Sequence, residues 1–155
     1  MKILIVEDDL NKSRQIGDYL SELLPGVELV ERRSFQSGLA EIYASAFDVV
    51  ILDMTLPTYD IRPGERGGRT RTYGGREILE ELVRNSISTK AIVLTQFESF
   101  GEGGDHLTLD ELTEQVKARF PKLFLGTVYY HPARTDWRTR LNDLLAIVCE
   151  GRLTG

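Results

Sequence analysis

Carboxylates follow two of the apolar segments in this chain. The acidic run Glu7-Asp8-Asp9 comes after ILIV, and Asp53 comes directly after VVIL. Neighbouring carboxylates repel one another unless a cation or a proton lies between them. A small set of hard oxygen ligands with room for water suits Mg²⁺. Asp53 would then be both a metal ligand and a carboxylate nucleophile that accepts a phosphoryl group, whose oxygens the metal charge stabilises.

Two further apolar segments end on groups that can contact a phosphoryl oxygen. Thr95 follows AIVL and offers a hydroxyl donor, and His131 follows LFLGTVYY and offers a donor or a cation. A strand interior does not tolerate an unpaired charge, whereas the carboxyl ends of parallel strands are where ligands bind. We therefore expect Thr95, His131 and Asp53 to lie at one edge of a sheet.

Each of these residues also has a structural explanation without chemistry. The acidic run can cap the following helix, because helix N-termini favour acids. Asp53 can be a turn residue that ends a strand, Thr95 an ordinary strand end, and His131 a surface residue before Pro132. These alternatives stay open for each residue alone, and the order of the polar strand ends along the chain favours a common site.

Five short apolar segments alternate with helical patterns and define the elements that must position these side chains. Most are rich in β-branched residues and continuous rather than alternating, which is typical of strands covered on both faces. The segments are Ile3–Val6, Val27–Val30, Val49–Leu52, Ala91–Leu94 and Leu123–Tyr130. The helical pattern after the fourth segment begins with a capping box at Thr108–Glu111. The order βαβαβαβαβα predicts an α/β fold with a five-stranded parallel, doubly wound sheet of flavodoxin-like topology.

Length and composition limit the class of protein. The chain has 155 residues, enough for one domain with a substantial core, and we expect a single domain over 1–155. The net charge of −5 disfavours direct binding to nucleic acid, and the single Cys149 cannot form an internal disulfide. The N-terminus turns acidic after four apolar residues, and no apolar run approaches the ~20 residues of a membrane span. The sequence thus predicts a cytoplasmic protein that binds neither nucleic acid nor membrane.

Two long segments interrupt the alternation of strands and helices, at about 58–75 and about 97–107. Both are rich in glycine and lack periodicity, and loops beyond ~12–15 residues in a compact domain are usually functional or disordered. The first follows Asp53 closely, so it should lie at the functional edge of the sheet. It carries four arginines whose planar forks suit carboxylates or phosphates, namely Arg62, Arg66, Arg69 and Arg71. We predict a partner-docking surface there, and the alternative is a solvated insertion without a role.

Four motifs of this chain occur in the order found in one protein family. The motifs are ILIVEDD, VVILDMTLP, AIVLTQ and VYYHP. With them the sequence resembles the receiver domain of bacterial two-component response regulators (the CheY-like superfamily), over nearly the whole chain apart from the two insertions. The resemblance implies that Asp53 is the phosphoacceptor and that Mg²⁺ is held by Glu7, Asp8, Asp53 and the carbonyl of Thr55.

The resemblance also assigns roles at the last two strands. It implies that Thr95 and Tyr129 are switch residues and that His131 contacts the phosphoryl group. The family normally has lysine immediately before the proline of strand five, where this chain has His131. The residue after the switch threonine is usually small, so Gln96 is expected to narrow access to the site and slow attack by water. A cis peptide bond between His131 and Pro132 is a further expectation from the resemblance.

The predicted function is that of a stand-alone receiver in phosphorelay signalling. Asp53 would take a phosphoryl group from a phosphohistidine on a sensor histidine kinase or phosphotransfer protein, and a downstream effector protein would carry the output. The protein would not be an enzyme beyond catalysing its own phosphorylation. One alternative is a receiver-like interaction module that does not accept phosphate, favoured by His131 and the enlarged loops. A third hypothesis is a Mg²⁺-dependent phosphohydrolase, which would want a general acid beside Asp53, and none is evident in the sequence.

Overall fold

The computed structural model describes residues 1–61, 68–101 and 103–154 of the chain. Its strands are β1 (Lys2–Val6), β2 (Glu28–Arg32), β3 (Val49–Leu52), β4 (Leu56–Pro57), β5 (Thr70–Arg71), β6 (Lys90–Thr95), β7 (Ser99–Phe100), β8 (Leu107–Thr108) and β9 (Phe124–Tyr129). Its α-helices are α1 (Leu10–Leu23), α2 (Phe35–Ala44), α3 (Gly74–Arg84), α4 (Leu109–Arg119) and α5 (Asp136–Thr154). Within the described ranges, no helix combines the length and the apolar character needed to cross a bilayer.

Five of the strands form one parallel sheet in the order β2-β1-β3-β6-β9. The register pairs Val6 with Leu52, Leu52 with Val93, and Thr95 with Tyr129. The carboxyl ends of these strands therefore lie along a common edge of the sheet. The predicted five-stranded parallel fold of flavodoxin-like topology is confirmed.

Both faces of the sheet are covered, which explains why its strands are continuously apolar. Along β1, Leu4 and Val6 pack in one group of buried side chains, and Ile3 and Ile5 pack in the other. Successive side chains of a strand point to opposite faces, so a strand that is buried on both faces needs apolar residues throughout. Trp137 of α5 lies fully buried in the second group.

Helix caps fix the first turns of α1 and α4 beside the strand ends. The Asp9 carboxylate caps α1 by accepting hydrogen bonds from the backbone N–H groups of Asn11 and Lys12, at 3.0 and 3.1 Å. Thr108 and Glu111 form the predicted capping box at the start of α4. The capping explanation of the acidic run is therefore correct for Asp9, and it orders the turn of α1 from which the Lys12 side chain extends.

Each long segment takes part in a short antiparallel strand pair that the sequence did not reveal. β4, just before the first segment, pairs with β5 inside it, and β7 in the second segment pairs with β8 at its end. The backbone N–H and the hydroxyl of Thr58 both donate to the Arg69 carbonyl, and the Gln36 N–H donates to the Thr58 carbonyl. The bond from Gln36 joins the first segment to the beginning of α2. A strand of two residues is too short to show a period in sequence, so tertiary contacts define it.

Candidate functional site

Three carboxylates meet at the carboxyl edge of the sheet. Oxygens of Glu7, Asp8 and Asp53 all lie within 4.8 Å of one another. Glu7 and Asp53 are only 3% and 4% exposed, whereas Asp8 faces solvent. The structure thus brings together the three acidic residues that the sequence assigned to one site. Three oxygen donors with an open side are a chemically suitable set for a divalent cation that keeps some of its waters.

The sheet register explains why two of these carboxylates are neighbours. Val6 and Leu52 are paired at the ends of β1 and β3, so Glu7 and Asp53 leave adjacent strands at the same level. The Asp53 N–H donates to the Val6 carbonyl at 3.0 Å, and the Glu7 N–H donates to the Arg32 carbonyl at 2.9 Å. Backbone hydrogen bonds to the sheet therefore fix the position of both acidic residues.

A buried lysine that sequence reasoning missed lies among these carboxylates. Lys12 Nζ donates to Glu7 Oε2 at 2.7 Å, to Asp53 Oδ2 at 3.1 Å and to the Leu94 carbonyl at 3.0 Å. The side chain is 1% exposed, and its ammonium group uses all three donors. One signal could have revealed it, because Lys12 lies four residues before the core residue Ile16 and therefore on the buried face of α1.

The protonation of the pocket follows from burial and from charge crowding. Burial, and then the charge of Asp53, raise the pKa of Glu7 to about 9, although Lys12 acts in the opposite direction. The same two causes raise the pKa of Asp8. Burial disfavours the charged form of Lys12, but the carboxylates of Asp53 and Glu7 outweigh burial and raise its pKa. Lys12 is therefore an ammonium ion at neutral pH, and the excess negative charge of the pocket is relieved by a proton or by a further cation.

The backbone around Asp53 is held by a close contact with the start of α3. Asp53 Oδ1 accepts a hydrogen bond from the Met54 N–H at 2.7 Å, and the Gly75 N–H donates to the Met54 carbonyl at 2.8 Å. A Cβ atom added at Gly75 would lie 2.5 Å from the Asp53 carbonyl oxygen. The helix can approach this closely because residue 75 has no side chain.

The residues predicted to act as a switch lie next to each other on the last two strands of the sheet. Thr95 ends β6 fully buried, and its hydroxyl oxygen accepts a hydrogen bond from the Phe97 N–H at 3.2 Å. Tyr129 is half-buried and is paired with Thr95 across the sheet. It lies on the same face of β9 as Thr127, whose hydroxyl contacts Thr113 of α4 at 2.9 Å. The contact of Thr127 with Thr113 joins β9 to α4 two residues before Tyr129.

Thr55 and Gln96 flank the site from two different loops. The Thr55 hydroxyl donates to the Thr72 carbonyl at 2.9 Å, which joins the loop after β3 to the far end of the first insertion. Gln96 follows β6 with an exposed side chain. The roles of the Thr55 carbonyl as a metal ligand and of Gln96 in limiting access stay predictions.

His131 does not belong to the cluster of carboxylates in the described part of the chain. Its ring is exposed, and Nδ1 accepts a hydrogen bond from the Ala133 N–H at 3.1 Å. Among the described residues, no hydrogen bond or ion pair joins His131 to Asp53, and the predicted contact of His131 with a phosphoryl group stays a prediction. The peptide bond before Pro132 is trans, and the expectation of a cis bond is wrong.

The arginines of the first insertion differ in their surroundings. Arg62 and Arg66 lie outside the described residues, and Arg69 is exposed. Arg71 is half-buried, with its guanidinium 4.2 Å above the ring of Phe35 and an ion pair to Glu77 at 2.7 Å. The contacts of Arg71 therefore hold the insertion against α2 and α3, whereas Arg69 is exposed and its docking role stays a prediction.

Comparison with known proteins finds relatives that match almost the full length of this chain. The chain is 35% identical over 146 residues to the uncharacterized protein y4jR of Sinorhizobium fredii, covering 92% of this chain and 95% of that protein. It is 30% identical over 143 residues to the Detocs response regulatory protein DtcB of Enterobacter cloacae, covering 91% and 95%. No protein-family model matches the chain.

Solved structures with the same fold are more distant in sequence. A CheY-like response regulator receiver domain protein from Methanospirillum hungatei superposes with a TM-score of 0.63 at 19% identity, over 99% of this chain and 98% of that one. The response regulator TrrA of Thermotoga maritima, solved in complex with Mg²⁺-BeF, superposes with a TM-score of 0.56 at 18% identity, over 92% and 97%. At these identities the structural match establishes the fold.

Proposed function

This chain belongs to the receiver domains of response regulators, and we propose that Asp53 accepts a phosphoryl group while Mg²⁺ is bound beside it. The observation that carries the proposal is the cluster of Glu7, Asp8 and Asp53, with oxygens within 4.8 Å of one another at the strand ends. Two of these carboxylates are buried and the third faces solvent, which leaves an open side for a phosphodonor. Hard oxygen donors of this kind match the preference of Mg²⁺.

The contacts of Asp53 suit a carboxylate nucleophile. The Met54 N–H holds Oδ1 and the Lys12 ammonium holds Oδ2, so the plane of the carboxylate is fixed. A fixed nucleophile beside a bound donor reacts with a smaller loss of entropy. Glu7, Asp8, Asp53 and the carbonyl of Thr55 would hold Mg²⁺, which when bound neutralises charge on the transferring phosphoryl group.

Thr95 and Tyr129 are proposed to respond to the phosphorylated state. The Thr95 hydroxyl lies at a strand end beside the site and can turn to donate to a phosphoryl oxygen. A movement there would reach Tyr129 on the neighbouring strand and then α4, because Tyr129 shares its face of β9 with Thr127. We propose a sensor histidine kinase or a phosphotransfer protein as the donor, and an effector protein as the recipient of the signal.

The relatives and neighbours support a role in signalling. Membership among receiver domains agrees with a signalling module rather than a dedicated enzyme. The complex of TrrA with Mg²⁺-BeF supports Mg²⁺ as the cation for this chain as well. The extent of one domain over 1–155 and a cytoplasmic location stay predictions from the sequence.

A second candidate function is a receiver-like interaction module that does not accept phosphate. Two observations favour it, namely the ion pairs that Lys12 already makes with Glu7 and Asp53, and the exposed ring of His131, whose Nδ1 is engaged by the Ala133 N–H. In that case the pocket would be a structural ion-pair network. A phosphohydrolase is a weaker third candidate, in which the carboxyl group of Glu7, whose pKa is raised to about 9, would be the general acid beside Asp53.

Labelling with a small phosphodonor separates these functions. The parent chain and Asp53→Asn are incubated with acetyl phosphate or phosphoramidate, with MgCl₂ or with EDTA, and intact mass is recorded over time. We expect the parent with Mg²⁺ to gain the mass of one phosphoryl group and Asp53→Asn to gain none. A parent chain that gains no mass under any of these conditions would favour the interaction module. Steady release of inorganic phosphate without a labelled intermediate would favour the phosphohydrolase.

A further inference from the structure

We infer that Lys12, on the first helix, supplies the cation that contacts the phosphoryl group on Asp53. This inference rests on the proposed function and adds a residue to its site. The resemblance to receiver domains places a lysine before the proline of the fifth strand, and this chain has His131 there. The structure places a lysine at Asp53 from a different element.

The position of Lys12 is set by three strand ends at once. Its ammonium group contacts Glu7 after β1 at 2.7 Å, Asp53 after β3 at 3.1 Å and the carbonyl of Leu94 near the end of β6 at 3.0 Å. Backbone atoms or side chains of all three strand ends therefore aim the ammonium group at the acceptor carboxylate. Among the described residues, Lys12 is the cation that forms an ion pair with Asp53.

The surroundings of His131 do not supply a cation for the phosphoryl group from the fifth strand. The imidazole is exposed and its Nδ1 is engaged by the Ala133 N–H. An imidazole is also shorter than a lysine side chain and has no flexible stem with which to reach Asp53. The long stem of Lys12 instead carries its charge from α1 to the strand ends.

The charge balance of the pocket allows both Lys12 and a metal ion. Three carboxyl groups lie in the pocket with one ammonium group, so the formal charge without a metal is negative even when Glu7 carries a proton. Lys12 therefore leaves negative charge for Mg²⁺ to neutralise. A buried ion pair with no further role is often replaced by apolar residues without loss of stability, so the pair alone is a weak structural explanation.

The transfer step uses Lys12 as a hydrogen-bond donor only. A lone pair of an Asp53 carboxylate oxygen forms the new O–P bond while the bond from phosphorus to the donor's leaving group breaks. The leaving group keeps that electron pair and takes a proton from solvent. Lys12 keeps its three protons and moves its contact from Asp53 Oδ2 to a phosphoryl oxygen, where negative charge increases during the transfer.

Four variants test the inference by intact-mass labelling with phosphoramidate and MgCl₂. They are Lys12→Met, His131→Lys, the double variant of both, and Lys117→Met on the exposed face of α4 as a matched control. We expect Lys12→Met to be labelled about 100-fold more slowly, the loss typical of removing one donor to a developing oxyanion. The double variant should be labelled about tenfold or more faster than Lys12→Met, because a lysine at position 131 returns a cation to the site. Lys117→Met should match the parent.

Calorimetric titration of Mg²⁺ distinguishes loss of the phosphoryl contact from loss of the metal site. Lys12→Met should bind Mg²⁺ as tightly as the parent or more tightly, because the substitution removes a positive charge beside the metal ligands. A labelling rate of Lys12→Met equal to that of the parent would overturn the role of Lys12 and leave phosphorylation of Asp53 intact. A parent chain that is not labelled would overturn the proposed function, and the role of Lys12 with it.

The single variant His131→Lys keeps the inference testable if Lys12→Met does not fold. Because Lys12 already supplies the cation, we expect His131→Lys to change the labelling rate by less than about threefold. A rise of about tenfold or more would show that the cation position is vacant in the parent, which would contradict the inference.

Discussion

The pKa of Glu7 predicts that this protein binds Mg²⁺ more weakly as the pH falls. Burial, and next the charge of Asp53, raise that pKa to about 9, so at pH 7 Glu7 carries a proton that the metal must displace. The difference between this pKa and pH 7 is about two units, and each unit corresponds to about 1.4 kcal/mol. Removing the proton from Glu7 therefore costs about 3 kcal/mol of Mg²⁺ binding free energy at pH 7. The affinity should therefore rise about tenfold per unit from about pH 6 to about pH 8 and level off above the pKa.

Calorimetry in two buffers with different ionisation enthalpies measures both the affinity and the protons released. About one proton per Mg²⁺ is expected from Glu7 near neutral pH. Glu7→Gln should remove most of the pH dependence. Glu28→Gln, which changes an exposed carboxylate on β2, should behave as the parent does. Equal affinity at about pH 6, 7 and 8, with no proton release, would refute a protonated Glu7.

Three other predictions concern the scaffold of the site and the predicted partner-docking surface. Gly75→Ala should lower the free energy of unfolding by about 1–3 kcal/mol and slow labelling, because its Cβ would meet backbone at 2.5 Å. Gly104→Ala is the control in urea denaturation, because no atom lies within 4 Å of its added Cβ. Equal urea midpoints for Gly75→Ala and Gly104→Ala would contradict the prediction. Thr108→Ala should cost about 1 kcal/mol through loss of the α4 cap, and an unchanged urea midpoint would argue against that cap. Arg69→Ser should reduce capture of a partner from native lysate while leaving the thermal midpoint unchanged, whereas Arg71→Ser should lower that midpoint. Identical partners for both variants and the parent would leave the insertion without a docking role.

The parallel sheet and the acidic ends of its strands could be predicted from the sequence alone. Burial on both faces forces a strand to be continuously apolar, so segments such as Ile3–Val6 and Val49–Leu52 stand out without any structural information. The carboxyl ends of parallel strands meet at one edge, so the meeting of Glu7, Asp8 and Asp53 followed from their order in the chain. The cap at Thr108 was predictable because a capping box is a local interaction over four residues.

The organisation of the insertions depended on tertiary contacts. β4 and β5 are two residues long, and partners distant in sequence hold them, as in the bonds from Thr58 to Arg69. The arginines were indistinguishable by residue type, but Arg71 packs on Phe35 and pairs with Glu77, whereas Arg69 is exposed. A charged side chain with a long stem is compatible with either environment, so its residue type alone does not determine which one it occupies.

The source of the positive charge at Asp53 was likewise decided by the tertiary structure. The sequence predicted a cation at position 131, because the resemblance assigns a lysine to that position. In the folded chain His131 is exposed. Lys12 was inconspicuous, since most lysines on a helix extend into solvent. The packing of α1 against the sheet turns Lys12 inward, and the carboxylates of Glu7 and Asp53 offset the cost of burying its ammonium group. Those carboxylates belong to two different strands, so the contact exists only after α1, β1 and β3 have assembled.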